Sequence, residues 1–311
     1  MIGVGVGTSL LAVSMGLSTP TFDPASLWSG GAQGVWLRPS IADVSFVDHV
    51  GQTPNPAANQ TVGLLFDVSQ GLARGPNLIS NGDFTSGISG WSSFQGATLS
   101  HTGNALRIVG NGSLSFPGAN QSISTILGRW YEVFYDCTSV SVGSVGVEIS
   151  PNSTAGPGGF GWSAGGVGRK TTYGPSAAAT MWVRPISSAS NSDFVVDNVV
   201  AREIAGRHAS QATVANRPLL RVGGNGVRFL ENVSSDSLNW TAPAGTYTVA
   251  YVTPAGAVTI LTGQALSGAV DVMVASQIVE YLAVNRALTT VEAAGVTAHL
   301  RRAAGFLWRS R

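Results

Sequence analysis

The stretch NLISNGDFTSGISGW, residues 77–91, is the most informative part of the sequence for the architecture. In it a short apolar run leads into Asn81-Gly82, and Phe84 and a glycine-spaced segment precede Trp91. An Asn-Gly pair after a short apolar run, followed by glycines, is typical of a strand that ends in a turn, and it does not indicate a catalytic loop. The stretch therefore predicts the opening strand of a β-sheet domain.

A second stretch, FVVDNVV at residues 194–200, pairs with the first. Together they resemble the two ends of jelly-roll carbohydrate-binding modules, which begin "NL(I/L)xNGDF…GW" and end with phenylalanine, hydrophobic residues, aspartate and valine. Two such ends at this separation suit one sandwich of about eight to ten strands. The resemblance implies a jelly roll over residues 76–205.

The composition favours β-structure and association with other subunits. Charged residues make up 11% of the 311 residues, against about 25% in typical domains, and there are 40 glycines. Hydrophobic residues at 44% argue against disorder. A surface so poor in charge is hard to keep soluble as a monomer, so we expect a homo-oligomer.

Charge and cysteine content argue against several functions. The net charge of +1 does not provide a broad nucleic-acid footprint. Cys137 is the single cysteine, so neither an intrachain disulfide nor a thiolate metal site is expected. The Gly-Val-Gly-Val-Gly run near the start is not followed by Lys-Ser/Thr and is therefore not a phosphate-binding loop.

The sequence does not predict an enzyme. Glycoside hydrolysis needs two carboxylates flanking a sugar, and the Glu-x-Asp-x-x-Glu triplet of sandwich-fold glucanases does not occur. The four histidines share no spacing typical of metal ligands, and no nucleophile elbow is visible. No catalytic residues are assigned.

The first residues, MIGVGVGTSLLAVSMGL, are apolar. They carry no Lys or Arg before the apolar run, which glycines interrupt, and they are too short and broken to span a bilayer. We expect residues 1–33 to be an attachment arm and linker, with the apolar part docked as an extended strand on a neighbour. A cleaved signal sequence is the alternative.

Short strand-like runs lie on both sides of the jelly roll and predict a second sandwich. They are followed by Thr289-Thr290-Val291-Glu292, a capping box, after which Ala294, Ala298 and Phe306 continue an apolar stripe with Val291. The predicted strands cover residues 34–37, 44–49, 61–67, 226–230, 238–241, 246–253, 258–261, 270–274 and 278–284.

Residues 281–289, YLAVNRALT, resemble the final strand and helix start of concanavalin-A-like, laminin-G-type sandwiches. Residues 66–69 and 208–213, FDVS and HASQAT, resemble the two halves of one passage in the same proteins. The resemblance implies a sandwich formed by residues 34–75 and 206–311, with the jelly roll inserted in one loop. Such insertion is thermodynamically cheap when the two ends lie close together. The predicted fold class is all-β, with an extended N-terminal arm and a short C-terminal helix.

Residues 22–40 together with this split passage resemble virion proteins of tailed phages and gene-transfer agents. That resemblance implies a spike or fibre subunit of the head or tail, in an extracellular particle made in the host cytoplasm. Its partners would be capsid, collar or tail proteins, copies of itself and a host surface polysaccharide. A purely structural capsid-decoration or tail protein is the alternative, and a fragment of an extracellular carbohydrate-binding enzyme is a third reading.

Sugar-binding jelly rolls stack aromatic rings on the sugar. The candidate platform is Phe160, Trp162 and Tyr173, in and beside a Gly-rich loop. Trp162 fits a subunit contact equally well. Four other aromatic residues are read as core: Trp91, Trp130, Tyr131 and Trp182.

The carbohydrate-binding-module resemblance also implies a structural calcium ion joining the first and last strands. Asp83 and Asp197 are its candidate ligands, with Asp193 as a further oxygen donor. The glutamate that usually follows the phenylalanine is Thr85 here, and Asn198 follows Asp197. Plain turn and strand-end roles are the alternative for these residues.

Overall fold

A computed structural model describes residues 22–54, 56–152 and 165–306, and this part of the chain is mainly β-structure. Short 3₁₀ turns cover Pro24–Trp28, Ala42–Val44 and Val214–Asn216. The described strands are β1 Gly34–Leu37, β2 Ser45–Phe46, β3 Leu64–Leu65, β4 Ser92–Phe94, β5 Thr98–His101, β6 Leu106–Val109, β7 Gly118–Ser124, β8 Trp130–Val142, β9 Val145–Ser150, β10 Gly168–Pro175, β11 Thr180–Ser187, β12 Asp193–Ile204, β13 Ala209–Ser210, β14 Leu219–Val222, β15 Arg228–Glu231, β16 Asn239–Val252, β17 Val258–Asp271, β18 Gln277–Ile278 and β19 Glu280–Val284; helix α1 is Thr290–Ala303. The all-β class is confirmed.

The largest sheet contains strands from both sides of the jelly roll. Its order is β1-β19-β16-β13-β3-β2, and β17 pairs with β16. β1 runs antiparallel to β19, with Gly34 opposite Val284. β13 runs antiparallel to β3, with Ala209 opposite Leu65. The two segments that flank the jelly roll in sequence therefore share one hydrogen-bonded sheet.

A three-stranded sheet, β14-β15-β18, packs over this large sheet. Leu220, Leu230 and Ile278 of the small sheet belong to the same buried cluster as Trp240 and Tyr281 of the large sheet. Because each sheet buries one face against the other, the two together form the outer sandwich.

The inserted domain is a sandwich of a five-stranded and a four-stranded sheet. Their orders are β10-β8-β12-β6-β5 and β4-β7-β11-β9. On β11, Met181 and Val183 enter the buried core, so Trp182 and Arg184 lie on the opposite, outer face of the four-stranded sheet. All buried members of this core come from residues 79–201, so the domain has a core of its own.

Helix α1 closes one side of the outer sandwich. Its N-terminus has the predicted capping box, in which the Glu292 N–H donates to Thr289 Oγ1 and the Thr289 N–H donates to the Glu292 carboxylate. The predicted apolar stripe is wrong: Val291 is 80% exposed, and the helix buries Val296 and Leu300. The buried pair is spaced four residues apart, so it lies on one face of the helix.

The long hairpin β16–β17 differs from the sequence prediction. The predicted runs 238–241 and 246–253 overlap one fourteen-residue strand, β16, and the runs 258–261 and 270–274 overlap another, β17. β17 is paired only on its β16 side among the described strands, and its residues are exposed or half-buried throughout. A strand with little burial on either face shows no clear alternation, so its length is not visible in the sequence.

The two domains are joined by a neck formed by residues 73–75 and 203–205. The Gly75 N–H donates to the Glu203 carbonyl at 2.9 Å, and the Ala205 N–H donates to the Ala73 carbonyl at 2.8 Å. The two connections therefore form a short antiparallel ribbon, and the ends of the insertion lie side by side.

Side chains of the jelly roll also pack into the outer sandwich. Trp130, at the start of β8, is a member of the outer core and lies against His208 with ring centroids 5.2 Å apart. The Asp67 N–H donates to Nδ1 of the buried His208 at 2.9 Å. In turn the Asp67 carboxylate accepts from the backbone N–H of Trp36, Ser69 and Arg207. These hydrogen bonds of Asp67 and His208, called the clasp below, lie where the chain re-enters the outer sandwich.

Of the part of the chain that the structure describes, no helix has the length and apolar character needed to cross a membrane.

Candidate functional site

The predicted aromatic platform is divided by the structure. Phe160 and Trp162 lie in residues 153–164, outside the described residues. Tyr173 lies on the five-stranded sheet, where its ring packs against Phe46 and Phe66 of the outer sandwich, with centroids 5.6 and 5.1 Å away. Its hydroxyl lies 3.2 Å from Glu132, and burial raises its pKa to about 12. The structure thus places Tyr173 in the contact between the domains.

The proposed calcium ligands already have other partners. Asp83 accepts from the Thr85 hydroxyl at 3.2 Å, and Asp197 accepts from the backbone N–H of Asn198 at 2.7 Å. Calcium takes about six to eight oxygen ligands. Across residues 22–54, 56–152 and 165–306, no group of three or more His, Cys, Asp or Glu could hold a metal ion.

Asp193, the further candidate oxygen donor, makes a two-point ion pair with Arg107, at 2.9 and 2.7 Å. This hydrogen-bonded pair lowers the pKa of Asp193. The ends of the jelly roll are joined by a backbone hydrogen bond from the Val199 N–H to the Gly82 carbonyl, at 2.9 Å. The calcium ion stays a prediction for Asp83 and Asp197, which have local hydrogen-bond partners of their own in the structure.

Three of the four aromatic residues read as core are confirmed. Trp91, Trp130 and Tyr131 are 7%, 6% and 2% exposed. The interpretation of Trp182 was wrong, because this side chain points away from the core and is only partly buried. Trp182 therefore marks the outer face of the four-stranded sheet.

That outer face carries two rows of side chains across the strands. In one row, Trp182 of β11 lies between Ser122 of β7 and Ser150 of β9. In the next row, Arg184 is opposite Glu148. The face thus combines an aromatic ring, hydroxyls and a charged pair.

Arg184 and Glu148 form a buried ion pair at the centre of the face. Their side chains are 0% and 1% exposed, and Nη1 of Arg184 lies 3.4 Å from Oε1 of Glu148. The Arg184 guanidinium also lies over the Phe94 ring, 4.2 Å from its centroid, and donates to the Asn152 carbonyl. Burial lowers the pKa of Arg184, and the neighbouring Glu148 opposes this shift. A buried pair of this kind is costly to keep and is weak evidence of a purely stabilising role.

The same face has hydrogen-bonding groups without a partner in the described part of the chain. Nε of Arg184 is a buried donor, and Oδ1 of Asn120 is a buried acceptor. Asn120 is oriented by its amide nitrogen, which donates to Oγ of Ser92 at 2.7 Å. Buried polar groups are usually hydrogen-bonded, so these two atoms are exceptions within the described part of the chain.

The outer face of the five-stranded sheet has a different character. Its exposed ion pair, Arg169 with Asp136, is bidentate at 2.8 and 2.9 Å, and Arg169 covers the Phe134 ring at 4.4 Å. This pair lowers the pKa of Asp136. The other end of the face contacts the outer sandwich through Tyr173. The five-stranded sheet is therefore the docked side of the jelly roll, and the four-stranded sheet lies across the core from it.

The face around Trp182 has the chemistry of a polar-ligand site. Binding sites combine apolar or aromatic surface with a few fixed polar groups that set orientation. Here Trp182 supplies a partly exposed ring, and the side chains of Asn120, Glu148 and Arg184 lie buried on the same face of the sheet.

Sequence reasoning missed Arg184 and Glu148. They are 36 positions apart (184 − 148) on strands that pair only in the fold, so no local motif marks them. A signal was present in β11, TMWVRPIS, where Trp182 and Arg184 alternate with the apolar Met181 and Val183. Period-two alternation of this kind places both residues on one outward face.

No protein-family model and no curated protein matches the sequence. Among solved structures, the enzymatically active domain of tailspike protein 4 from bacteriophage CBA120 is similar at 16% identity and a TM-score of 0.33, covering 41% of this chain and 21% of that one. A putative sugar binding protein from Bacteroides thetaiotaomicron is similar at 12% identity and a TM-score of 0.32, covering 41% of this chain and 100% of that one. The CBM22-1-CBM22-2 tandem domain of Xyn10C from Paenibacillus barcinonensis is similar at 14% identity and a TM-score of 0.35, covering 70% and 92%. The chain thus spans about a fifth of the tailspike domain. Because these TM-scores lie below 0.5, function is argued below from the chain's own residues.

Proposed function

We propose that the inserted jelly roll binds a saccharide on the outer face of its four-stranded sheet. The observation that carries the proposal is the partly exposed Trp182 beside the buried Arg184–Glu148 pair. An indole ring packs on the apolar face of a pyranose, and charged groups fixed nearby form strong hydrogen bonds to its hydroxyls. The face lies opposite the docked sheet, so a polymer could reach it.

The proposed role is binding without catalysis. Hydrolysis of a glycosidic bond uses two carboxylates about 5–10 Å apart. The described residues of the four-stranded face contribute one carboxylate, Glu148, and it is paired with Arg184. A single ion-paired carboxylate suits recognition of hydroxyls better than acid–base chemistry. The expected result with a bound polysaccharide is no release of reducing sugar.

We propose further that the chain is a spike or fibre subunit of a tailed-phage or gene-transfer-agent particle. In that role its N-terminal residues attach it to the particle, and the jelly roll binds a host surface polysaccharide. Symmetric copies would multiply a weak single-site affinity. The sequence resemblance of residues 22–40 and of the split passage supports this setting. Antibody labelling of particles, and inhibition of adsorption by the purified chain, test it.

Trp182→Ala in the full chain tests the saccharide site. Loss of ring stacking is expected to weaken binding to a polysaccharide by about tenfold or more, which corresponds to about 1.4 kcal/mol. The measurement is affinity electrophoresis or glycan-array binding, using the polysaccharides of host cell surfaces. Phe134→Ala is the matched control, because Phe134 is a half-buried aromatic on the opposite face.

Two outcomes contradict the site. One is a folded Trp182→Ala variant that binds as tightly as the unmodified chain. The other is equal weakening by Trp182→Ala and Phe134→Ala, which would show that neither face is specific. Arg184→Met provides a second variant of the same face, but its folding must be checked first because Arg184 is fully buried.

A purely structural subunit is the alternative, and the β17 edge favours it. β17 is fourteen residues long with Asp271 as its single charge, and its outer edge is unpaired among the described strands. An edge of this kind forms a ready template for pairing with another chain. Leu261, 40% exposed on this strand, is a suitable position for a charge. If assembly is the whole function, light scattering should show oligomers of the unmodified chain and none of Leu261→Lys. In that case the unmodified chain should also bind no polysaccharide.

A further inference from the structure

A cavity lies where the outer sandwich, the neck and the jelly roll meet, and it is separate from the Trp182 face of the jelly roll. Its volume is about 420 Å³, which lies in the range of small-ligand sites. Its walls come from four segments of the chain, with Trp28 and Gln33 before β1, Gln70 after β3, Arg129 before β8, and Arg207 beyond the neck. Both domains therefore contribute to its lining.

Two arginines line this cavity, and each of them has a carboxylate nearby, Glu203 beside Arg129 and Asp67 beside Arg207. Arg129 and Arg207 are its charged lining residues. Arg129 donates to Glu203 at 3.0 Å, whereas the guanidinium of Arg207 contacts neutral oxygens, Oε1 of Gln33 at 3.2 Å and the carbonyl of Thr241 at 3.5 Å. Burial and the neighbouring Arg129 both lower the pKa of Arg207. The positive charge of Arg207 is thus not matched by a hydrogen-bonded carboxylate in the described structure.

Trp28 adds a neutral donor to the same wall. This residue is 93% buried (100 − 7% exposed), and its indole N–H has no hydrogen-bond partner among the described residues. The ring is held in place by stacking on Trp36, with centroids 6.2 Å apart and planes inclined by 10°. A buried N–H without a partner is costly, and Trp28 carries this cost beside the cavity.

The fold holds Arg207 in place independently of its guanidinium. Its backbone N–H donates to the buried carboxylate of Asp67 at 2.8 Å. Gly206 lies directly beside that carboxylate, and a Cβ there would be 3.0 Å from Oδ2 of Asp67. The backbone of this wall is therefore fixed, while the Arg207 head group faces the cavity with weak partners.

We infer that this cavity binds a monosaccharide-sized ligand that carries a carboxylate, such as a uronic acid. A guanidinium donates two parallel N–H bonds to a carboxylate, and Arg207 has the weakly satisfied guanidinium for this pairing. The amides of Gln33 and Gln70 offer hydrogen bonds to ring hydroxyls. The site is distinct from the Trp182 face and does not depend on it.

Calorimetry of the full chain with D-glucuronate, D-glucose and inorganic phosphate tests the inference. The expected result is saturable binding of glucuronate, no measurable binding of glucose and weaker binding of phosphate. Arg207→Gln is expected to weaken glucuronate binding by about tenfold or more, and Arg107→Gln, an exposed paired arginine on the jelly roll, is expected to leave it unchanged. Trp182→Ala is also expected to leave it unchanged, which separates this site from the proposed saccharide face.

Nuclear magnetic resonance provides a second readout that does not depend on the arginine variants. The indole N–H resonance of Trp28, assigned with Trp28→Phe, should move as glucuronate is added. Absence of glucuronate binding to the unmodified chain overturns the inference. Phosphate binding as tight as that of glucuronate overturns the sugar assignment, and so does binding by a folded Arg207→Gln chain at full strength.

Discussion

Among single residues, Gly82 shows why the opening stretch of the jelly roll contains a glycine at this position. A Cβ at this position would lie 2.1 Å from the carbonyl oxygen of Val199, and the Val199 N–H donates to the Gly82 carbonyl. The first and last segments of the jelly roll approach so closely here that only glycine fits. The Asn-Gly pair is therefore required by packing between the two ends of the domain as well as by the turn.

Gly82→Ala is expected to destabilise the jelly roll by about 2–3 kcal/mol, because the backbone of one of the two segments must move. Chemical denaturation of the full chain, followed by a probe in the jelly roll, measures this change. Gly166→Ala is the matched control, because a Cβ at Gly166 meets nothing within 4 Å. Equal stability of the two variants would contradict the close approach.

His208 makes the stability of the clasp depend on pH. Burial lowers its pKa to about 3, and Arg74 contributes in the same direction. Above the ordinary value of about 6.5 both folded and unfolded chains carry a neutral ring, so this residue adds no pH dependence. Below that value the unfolded chain takes up the proton first, so stability falls by about 1.4 kcal/mol per pH unit as pH decreases.

Urea denaturation at pH 7.5 and pH 5.5 measures this loss, which we expect to be about 1.4 kcal/mol from His208 alone. His208→Asn keeps an acceptor for the Asp67 N–H and removes the titrating ring, so its pH dependence should be smaller. His101→Asn, at an exposed position, is the control. The half-buried His49 titrates in both proteins and cancels in the comparison. An unchanged pH dependence in His208→Asn would refute the assignment.

The candidate site illustrates which residues a sequence can and cannot reveal. Asn81 and Gly82 were recognisable because the turn that they form involves neighbouring residues. Arg184 and Glu148 were not, because their pairing is created by the register of β11 with β9. Trp182 was misread as core because aromatic residues in strands are usually buried. Here its partners across the strands are serines, which leave the ring partly exposed.

At the scale of elements, the start of helix α1 follows local rules and was predictable. The capping box occupies four consecutive residues, and Arg286 adds a two-point ion pair to Glu292, at 2.6 and 2.9 Å. The buried face of the helix was not predictable, because it is determined by the sheet beneath. Val291 looks like a core residue in the sequence but points to solvent.

Thr289→Ala removes the side-chain cap and should destabilise the outer sandwich by about 1 kcal/mol. Thermal denaturation measures this effect. Val291→Ala, at the next exposed position of the same helix, should change stability by less than about 0.5 kcal/mol. If both substitutions cost the same, the cap contributes nothing beyond helix propensity.

Glu292 gives the same helix a dependence on acid. Its ion pair with Arg286, and the backbone N–H of Thr289, lower its pKa to about 2. The stabilisation is fully present above the ordinary pKa of about 4.5 and is lost as pH falls toward 2. In Glu292→Gln the loss of stability between pH 5 and pH 2.5 should be smaller than in the unmodified chain. Equal acid sensitivity in denaturation experiments would contradict this role.

At the scale of the whole molecule, the two domains depend on each other unequally. The buried core of the jelly roll is formed entirely by residues 79–201. The core of the outer sandwich includes Trp130 and Ile204 from the insertion, and Tyr173 packs against it. The jelly roll can therefore keep its core when excised, whereas the sandwich loses part of its own.

The fragment 76–204 is expected to unfold cooperatively at nearly the temperature of the jelly roll in the full chain. A sandwich in which two glycines replace residues 76–204 should be less stable by about 3–5 kcal/mol, the usual cost of losing a buried tryptophan. Calorimetry of the two pieces checks both expectations. A fragment 76–204 that fails to fold, or a sandwich of unchanged stability, would contradict the asymmetry.

The neck determines how the molecule responds to tension. Both connections leave the sandwich side by side, from the neighbouring strands β3 and β13. A pull on the jelly roll therefore loads both connections from the same end, and the hydrogen bonds between them are not sheared against each other. The force enters the sandwich at the Asp67–His208 clasp and is divided between two adjacent strands. Any load on the jelly roll would therefore be shared by two covalent paths in parallel.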